Sequence, residues 1–233
     1  MCWSVFFGWS CAFLTILYGF DLRDKERRLA AVREEALTAQ MTALRYQINP
    51  HFLFNTLNSI AGLIEEGSTA RAERMVVLLS KFLRTTLTLD PVDDVYLADE
   101  LALQEEYLGI EHERFSDRMA FRIEVPNDVR HALVPSLILQ PLIENAIKQG
   151  VGSTPNKVRI LLSAWREFDR LLIVVENEMA EGPIGLVPVG AGVGLRNVTE
   201  RLRVHFNGEG RFSAGLAGSG LFRATLDVPW RTN

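Results

Sequence analysis

Between Arg45 and Ile60 the chain reads RYQINPHFLFNTLNSI, and no other stretch narrows the possible folds as much. Wound as a helix at roughly 100° per residue, it places Leu53, Leu57, Ile60 and Ile64 on one side and Gln47, His51, Asn55, Asn58 and Gly62 on the other. An apolar stripe on a helix has to be buried against another element, so the segment predicts a helical hairpin or bundle. Pro50 falls inside the pattern, removes a backbone hydrogen bond and is expected to kink the axis immediately before His51. The same winding holds the His51 imidazole on the polar stripe with the Asn55 amide one turn away. A histidine so placed is a packed or capping side chain, a metal ligand or a nucleophile. Metal binding needs more donors, and His112, His131 and His205 lie far off with no cysteine or acidic cluster at ligand spacing. The nucleophile reading survives.

The flanks extend this pattern. From Leu29 to Arg45 the residues are helix formers, with Leu29, Val32, Ala36, Ala39 and Ala43 spaced three or four apart, a seam along which two copies can pack. Gly67 suits a left-handed helix stop, and Ser68 or Thr69 can start the next helix. That second helix is predicted to run to about Leu89, with Met75, Leu79, Phe82, Thr86 and Leu89 on one face, and to end at Asp90-Pro91. Two antiparallel amphipathic helices cannot bury both stripes by themselves. A second copy completes a four-helix bundle, so a homodimer is expected.

Met1 to Phe20 carries no charge. A helix of that length spans about 30 Å, the hydrocarbon core of a bilayer, and the segment is read as a transmembrane helix in preference to a signal peptide or a buried helix. The basic residues of Asp21-Leu22-Arg23-Asp24-Lys25-Glu26-Arg27-Arg28 then place the rest of the chain in the cytoplasm. Cys2 and Cys11 both lie inside that first segment and cannot close a comfortable disulfide along one helix, so the portion that follows is read as reduced and intracellular. A formal charge of −4 and a pI near 5.7 offer no basic footprint, and no direct contact with nucleic acid is expected.

The remaining chain alternates. A helix from about Leu97 to Phe115 leads into a strand at Phe121–Val125. Lys157–Trp165 and Leu171–Glu176 read as strands joined by a polar turn, Glu181–Ala191 as a Gly/Pro-rich loop, Leu195 to about Phe206 as a helix, and the end as a hairpin turned at Gly218-Ser219-Gly220. The sum is an α/β sandwich.

Three motifs carry a resemblance. The run Gln47-Ile48-Asn49-Pro50-His51-Phe52-Leu53-Phe54-Asn55 resembles the phosphoacceptor box of LytS-type sensor histidine kinases. Pro135 to Lys148, with Gln140-Pro141-Leu142-Ile143-Glu144-Asn145-Ala146-Ile147-Lys148 at its end, resembles their N box, and Gly192-Val193-Gly194-Leu195-Arg196-Asn197-Val198 their second glycine box. The resemblance implies a transmembrane helix over 1–20, a signalling helix and dimerisation hairpin over 21–92, and a GHKL-type ATP-binding sandwich over 93–233. It implies a kinase of the bacterial inner membrane that phosphorylates itself on His51 from ATP and Mg²⁺. The phosphoryl group would then pass to an Asp of a response regulator, such as one with a LytTR-type DNA-binding domain. Asn145 would give an oxygen to Mg²⁺, Lys148 would approach the phosphates, and Glu144 would hold water or metal. Asn55 would orient a water or serve as a polar spacer. Gly190, Gly192 and Gly194 would bring backbone N–H groups, with Leu195, to the triphosphate. Phe52 follows the acceptor, leaving the base unassigned, and Gln149 stands where the family often has His.

The first glycine box departs from the family. Where related kinases carry an Asp that accepts from the adenine amino group, the strand here ends Val175-Glu176-Asn177-Glu178-Met179, and Asn177 takes the position. Glu176 or Glu178 is a possible substitute. Two other classes remain open: a degenerate, non-catalytic signalling scaffold that binds ATP poorly, and a GHKL ATPase without a phosphohistidine.

Overall fold

The computed structural model describes residues 49–90, 93–115, 118–151, 154, 156–179, 192–218 and 220–232. The chain divides into two compact units, Met1–Pro50 and His51–Asn233, and of the first only Asn49 and Pro50 are described. The segments read as membrane helix (1–20) and signalling helix (29–45) therefore lie outside the described residues. Among the described residues no helix is long and apolar enough to cross a membrane.

Helices α1 (Pro50–Glu65) and α2 (Thr69–Thr88) form a hairpin. Asn49 is not helical, so Pro50 occupies the first helical position, where its missing N–H is no loss. The expected kink inside a continuous helix is thus replaced by a helix start. Gly67 turns the chain at φ 76°, with Gly67 N donating to Ile64 O and Ser68 N to Leu63 O. The buried face of α2 is Ala72, Met75, Leu79, Phe82 and Thr86, as its spacing predicts.

The buried face of α1 is rotated from expectation. Phe52, Thr56, Ile60 and Leu63 point inward, whereas Leu57 and Ile64 are exposed. The cause is helix α3 (Leu97–Phe115), against which α2 packs. The Phe52 ring sits 5.5 Å from that of Phe82 and 4.8 Å from that of Tyr107, and this three-ring contact sets which side of α1 faces in. Ion pairs line the joint: Glu113 of α3 receives Arg71 at 3.1 Å and Arg74 at 3.0 Å, and Lys81 reaches Glu106 at 2.9 Å. Burial pushes the Glu113 carboxyl up, but the two arginines hold it below its ordinary range.

Beyond α3 the strands β2 (Met119–Glu124), β4 (Val158–Glu167), β5 (Arg170–Glu178), β6 (Arg211–Leu216) and β7 (Leu221–Pro229) form a sheet in the order β2-β4-β5-β7-β6. Within it β2 and β4 run parallel, and the other pairs are antiparallel. A short ladder that sequence reading missed, β1 (Asp94–Tyr96) with β3 (Leu133–Pro135), closes the start of α3. Helix α4 (Gln140–Gly150) lies on β4 and β5, and α5 (Gly192–His205) lies on α4 and β6. Strand β5 alternates as a half-covered strand should, with Leu171, Ile173, Val175 and Asn177 turned into the core. Ile138, Leu142, Ile143 and Ile147 are core residues as predicted.

Candidate active site

His51 stands exposed in the first turn of α1 because Phe52, next to it, is buried. Successive helical side chains diverge by about 100°, so anchoring one ring inside turns its neighbour out. The Asn55 amide nitrogen lies 3.1 Å from both imidazole nitrogens. Equidistant from the two nitrogens, the amide is aligned with neither lone pair and steadies the ring as a whole. Such a contact is worth at most about 1 kcal/mol net, small enough to be released when an electrophile arrives.

The N-box helix α4 opens with Pro141 in its first turn and presents different residues to different neighbours. Asn145, half-buried, accepts at Oδ1 from Gln149 Nε2 at 3.2 Å, and Lys148 is exposed. Glu144 accepts from Gln140 Nε2 at 3.0 Å and faces α3, where burial above all, then the charges of Glu111 and Glu144, raises the Tyr107 hydroxyl. Glu111 is 2% exposed; burial and Glu144 push its carboxyl up to about 7 against the pull of Arg114. Glu144 thus borders the hairpin side of the domain. At the far end of α4, Gly150 is required: a Cβ there would lie 2.6 Å from Val158 Cγ1 and 3.5 Å from Asn177 Nδ2.

Asn177 sits at that contact. Its side chain is 1% exposed, its Nδ2 donates to Glu178 O at 3.2 Å, and its Oδ1 has no hydrogen-bond partner among the described residues. A buried carbonyl left open costs about 1–3 kcal/mol, so the position fits a ligand that brings an N–H donor. The two glutamates considered as substitutes are excluded by strand alternation. Glu176 and Glu178 point away from Asn177, Glu176 to Arg223 at 2.6 Å and Glu178 to Arg159 Nε at 2.8 Å. Hydrogen bonding to Arg159 holds the Glu178 carboxyl below its ordinary range.

Gly190 lies outside the described residues. Gly192 opens α5, and the ideal Cβ of Gly194 would fall 4.0 Å from Pro141, so the glycine-box helix begins against the start of α4. Leu195 packs on the core. Helix α4 therefore meets Gly194 of α5 near its start, at Pro141, and Asn177 of β5 at its end, at Gly150, two contacts roughly 13 Å apart along its axis. A molecule that reaches both is elongated, with a donor at the Asn177 end and a group that tolerates close backbone approach at the glycine end. ATP meets those demands. Asn145 lies between the two ends, with a carboxamide oxygen of the kind that can join a hard cation.

Sequence reading missed Glu100, Gln104 and Glu111, all buried on α3. Their spacing was a usable signal, since they interrupt the stripe Leu97, Leu101, Leu108: Glu100 and Glu111 find partners there, whereas both amide atoms of Gln104 have none among the described residues.

The chain is similar in sequence to known proteins. The histidine kinase family model matches residues 39–119. The sensor histidine kinase BtsS of Escherichia coli K12 is 36% identical over 201 residues, which is 85% of this chain and 35% of that protein. The sensor protein LytS of Staphylococcus saprophyticus is 31% identical over 192 residues, 78% of this chain and 32% of that one. The chain thus spans about a third of the length of the curated relatives it matches. Among solved structures, the catalytic domain of histidine kinase ThkA aligns at a TM-score of 0.44 with 15% identity, covering 60% of this chain and 98% of that domain. The assignment rests on the sequence relatives: the chain belongs to the histidine kinase family, in the company of sensor kinases that include LytS.

Proposed function

We propose that this chain is an ATP-dependent protein-histidine kinase in which His51 is the phosphoacceptor and α4 is one wall of the nucleotide cleft. The observation that carries the reading is the buried Asn177 Oδ1, without a partner among the described residues, at one end of α4, with the glycine-opened start of α5 at the other. In the transfer, an imidazole nitrogen of His51 forms a bond to the γ-phosphorus, the bond to the departing ADP oxygen breaks, and the ring's proton leaves to solvent. Asn55 lets go of the ring beforehand. Asn145 would be the residue to hold Mg²⁺ here, and a bound ion would supply neutralisation of the phosphate charge.

The dimer belongs to the same proposal. Phe54, Leu57, Ala61 and Ile64 form a second, outward seam on α1, and Val76 and Leu87 are exposed on α2. Those faces support a four-helix bundle with a second copy. Residues 1–20 would anchor the assembly in a bacterial inner membrane with the catalytic part in the cytoplasm. The phosphoryl group would pass to an Asp of a response regulator, such as one with a LytTR-type DNA-binding domain.

One observation favours a second reading. Asn177 supplies a carbonyl without charge, and both nearby glutamates are held by arginines, a pattern also suited to a signalling scaffold with weak nucleotide binding. Incubating the chain with γ-labelled ATP and Mg²⁺ separates the two. Acid-labile label on the unaltered protein, lost in Asn145→Ala, supports the kinase; no label together with no measurable ATP binding supports the scaffold.

A further inference from the structure

The turn that launches α4 is gripped from two sides. Leu137 N and Leu139 N donate to the two carboxylate oxygens of Glu100, at 2.8 and 2.9 Å, and Ser136 O accepts from the guanidinium of Arg201. Glu100 lies in the first turn of α3 and Arg201 on α5, about two turns beyond Gly194. Three helices are thereby tied to one turn of backbone.

The tie is costly to hold. Glu100 is 1% exposed, and burial pushes its carboxyl up to about 7, while the amides of Leu139 and Leu137 and the charge of Arg201 pull it back. Burial likewise draws Arg201 down while Glu100 draws it up. Leu137 is held at φ 60°, a left-handed conformation that a leucine adopts only when its surroundings impose it. Well-packed apolar side chains could fill the places of two buried charged groups without a loss of stability. It could not accept two backbone N–H groups, hold Leu137 in that conformation and attract a guanidinium on a different helix.

The pair joins the segment that leads to Asn145 with the helix that carries Gly194. We infer that Glu100 and Arg201 are positioning residues that fix the glycine-opened helix α5 against the turn before α4, and so set nucleotide affinity without touching the nucleotide. The inference rests on the ATP reading above and names the side chains that set the width of that cleft. Glutamine at position 100 keeps the shape but turns an NH₂ toward one of the two backbone donors and removes the charge that faces Arg201.

The test uses the full chain, with ATP and Mg²⁺ as the probe, in four variants: Glu100→Gln, Arg201→Gln, the double variant, and the milder Arg201→Lys. Each glutamine variant is expected to weaken ATP binding about tenfold, and the double variant no more than either alone, because each removes the same tie. The KM for ATP in autophosphorylation rises in step, and saturating ATP restores the rate to within about twofold. Arg201→Lys, which keeps the charge and loses the fork, shifts KM by about threefold. A lowered Tm with ATP affinity unchanged would show a purely structural role, and losses that simply add would deny the coupling; either overturns the inference. If Glu100→Gln fails to fold, an unchanged KM in Arg201→Lys overturns it as well. Failure of the unaltered protein to bind ATP has a different signature: it removes the nucleotide reading itself, and this inference with it.

Discussion

The helical hairpin and the α/β sandwich each expose large apolar side chains, but in different patterns. On the hairpin, Phe54 (67% exposed), Leu57, Ile64, Val76, Val77 and Leu87 lie on two neighbouring helices, most of them along seams. In the sandwich, Tyr96, Phe121, Trp165, Phe168, Val204 and Leu216 each belong to a different strand, turn or helix. Scattered apolar residues are ordinary surface, whereas aligned ones mark a face that needs covering. The sandwich lacks something else: among the described residues, a donor for the buried Asn177 Oδ1. The contrast teaches that one region calls for a second protein surface and the other for a small polar ligand.

The strongest way to break that contrast is Asn145→Ala. Phosphorylation should fall by roughly 100-fold through lost metal and phosphate positioning, while the dimer persists; undiminished label would mean that α4 does not line the nucleotide site. On the hairpin side, Leu57→Glu combined with Val76→Glu places charge on both outward seams. Sedimentation should show the dimer Kd raised by about thirtyfold or more, with nucleotide binding retained, and an unaltered dimer would remove the seams as an interface.

Glu111 offers a finer test where the hairpin-facing helix α3 meets α4. Its carboxyl, raised to about 7 against an ordinary value of 4.5, keeps a proton in the folded chain that the unfolded chain has already lost. Stability therefore falls as pH climbs from about 4.5 to about 7, by up to about 1 kcal/mol per pH unit per group, and levels off above. Glu100, also raised to about 7, titrates through the same window. Glu111→Gln, in a site otherwise faced by Arg114, Glu144 and Tyr107, should remove about half of that slope in denaturant unfolding; an unchanged slope would reassign it elsewhere. The smallest effect is expected of Asn177→Asp. A charged acceptor should tighten ATP about fivefold and lower the Tm, since the carboxylate loses the bond to Glu178 O and is buried without a cation. Weaker ATP binding in this variant would argue that adenine does not approach Asn177.

Much of this arrangement was legible in the sequence. The face of α2, the limits of α3, the β4–β5 and β6–β7 pairs and the left-handed Gly67 follow from spacing and turn chemistry alone, whereas the last helix begins at Gly192 and not at the expected Leu195. Two things were not legible. The rotation of the α1 stripe depends on Tyr107, more than fifty positions along, because Phe52 gains more from joining two rings than Leu57 gains from the predicted face. The availability of Glu176 and Glu178 depends on arginines brought alongside by strand pairing, which a single strand's pattern does not reveal. At the site, residue types were readable, but the orphaned Asn177 oxygen and the tie through Glu100 exist only in three dimensions.

The most direct measurement is to locate the phosphoryl group on the full chain after incubation with ATP and Mg²⁺, by peptide mapping under alkaline conditions that preserve phosphohistidine. Modification should be confined to the peptide containing His51, lost on acid treatment and absent from His51→Gln. Acid-stable phosphate elsewhere in the chain, or label undiminished in His51→Gln, would contradict a kinase that phosphorylates itself at that imidazole.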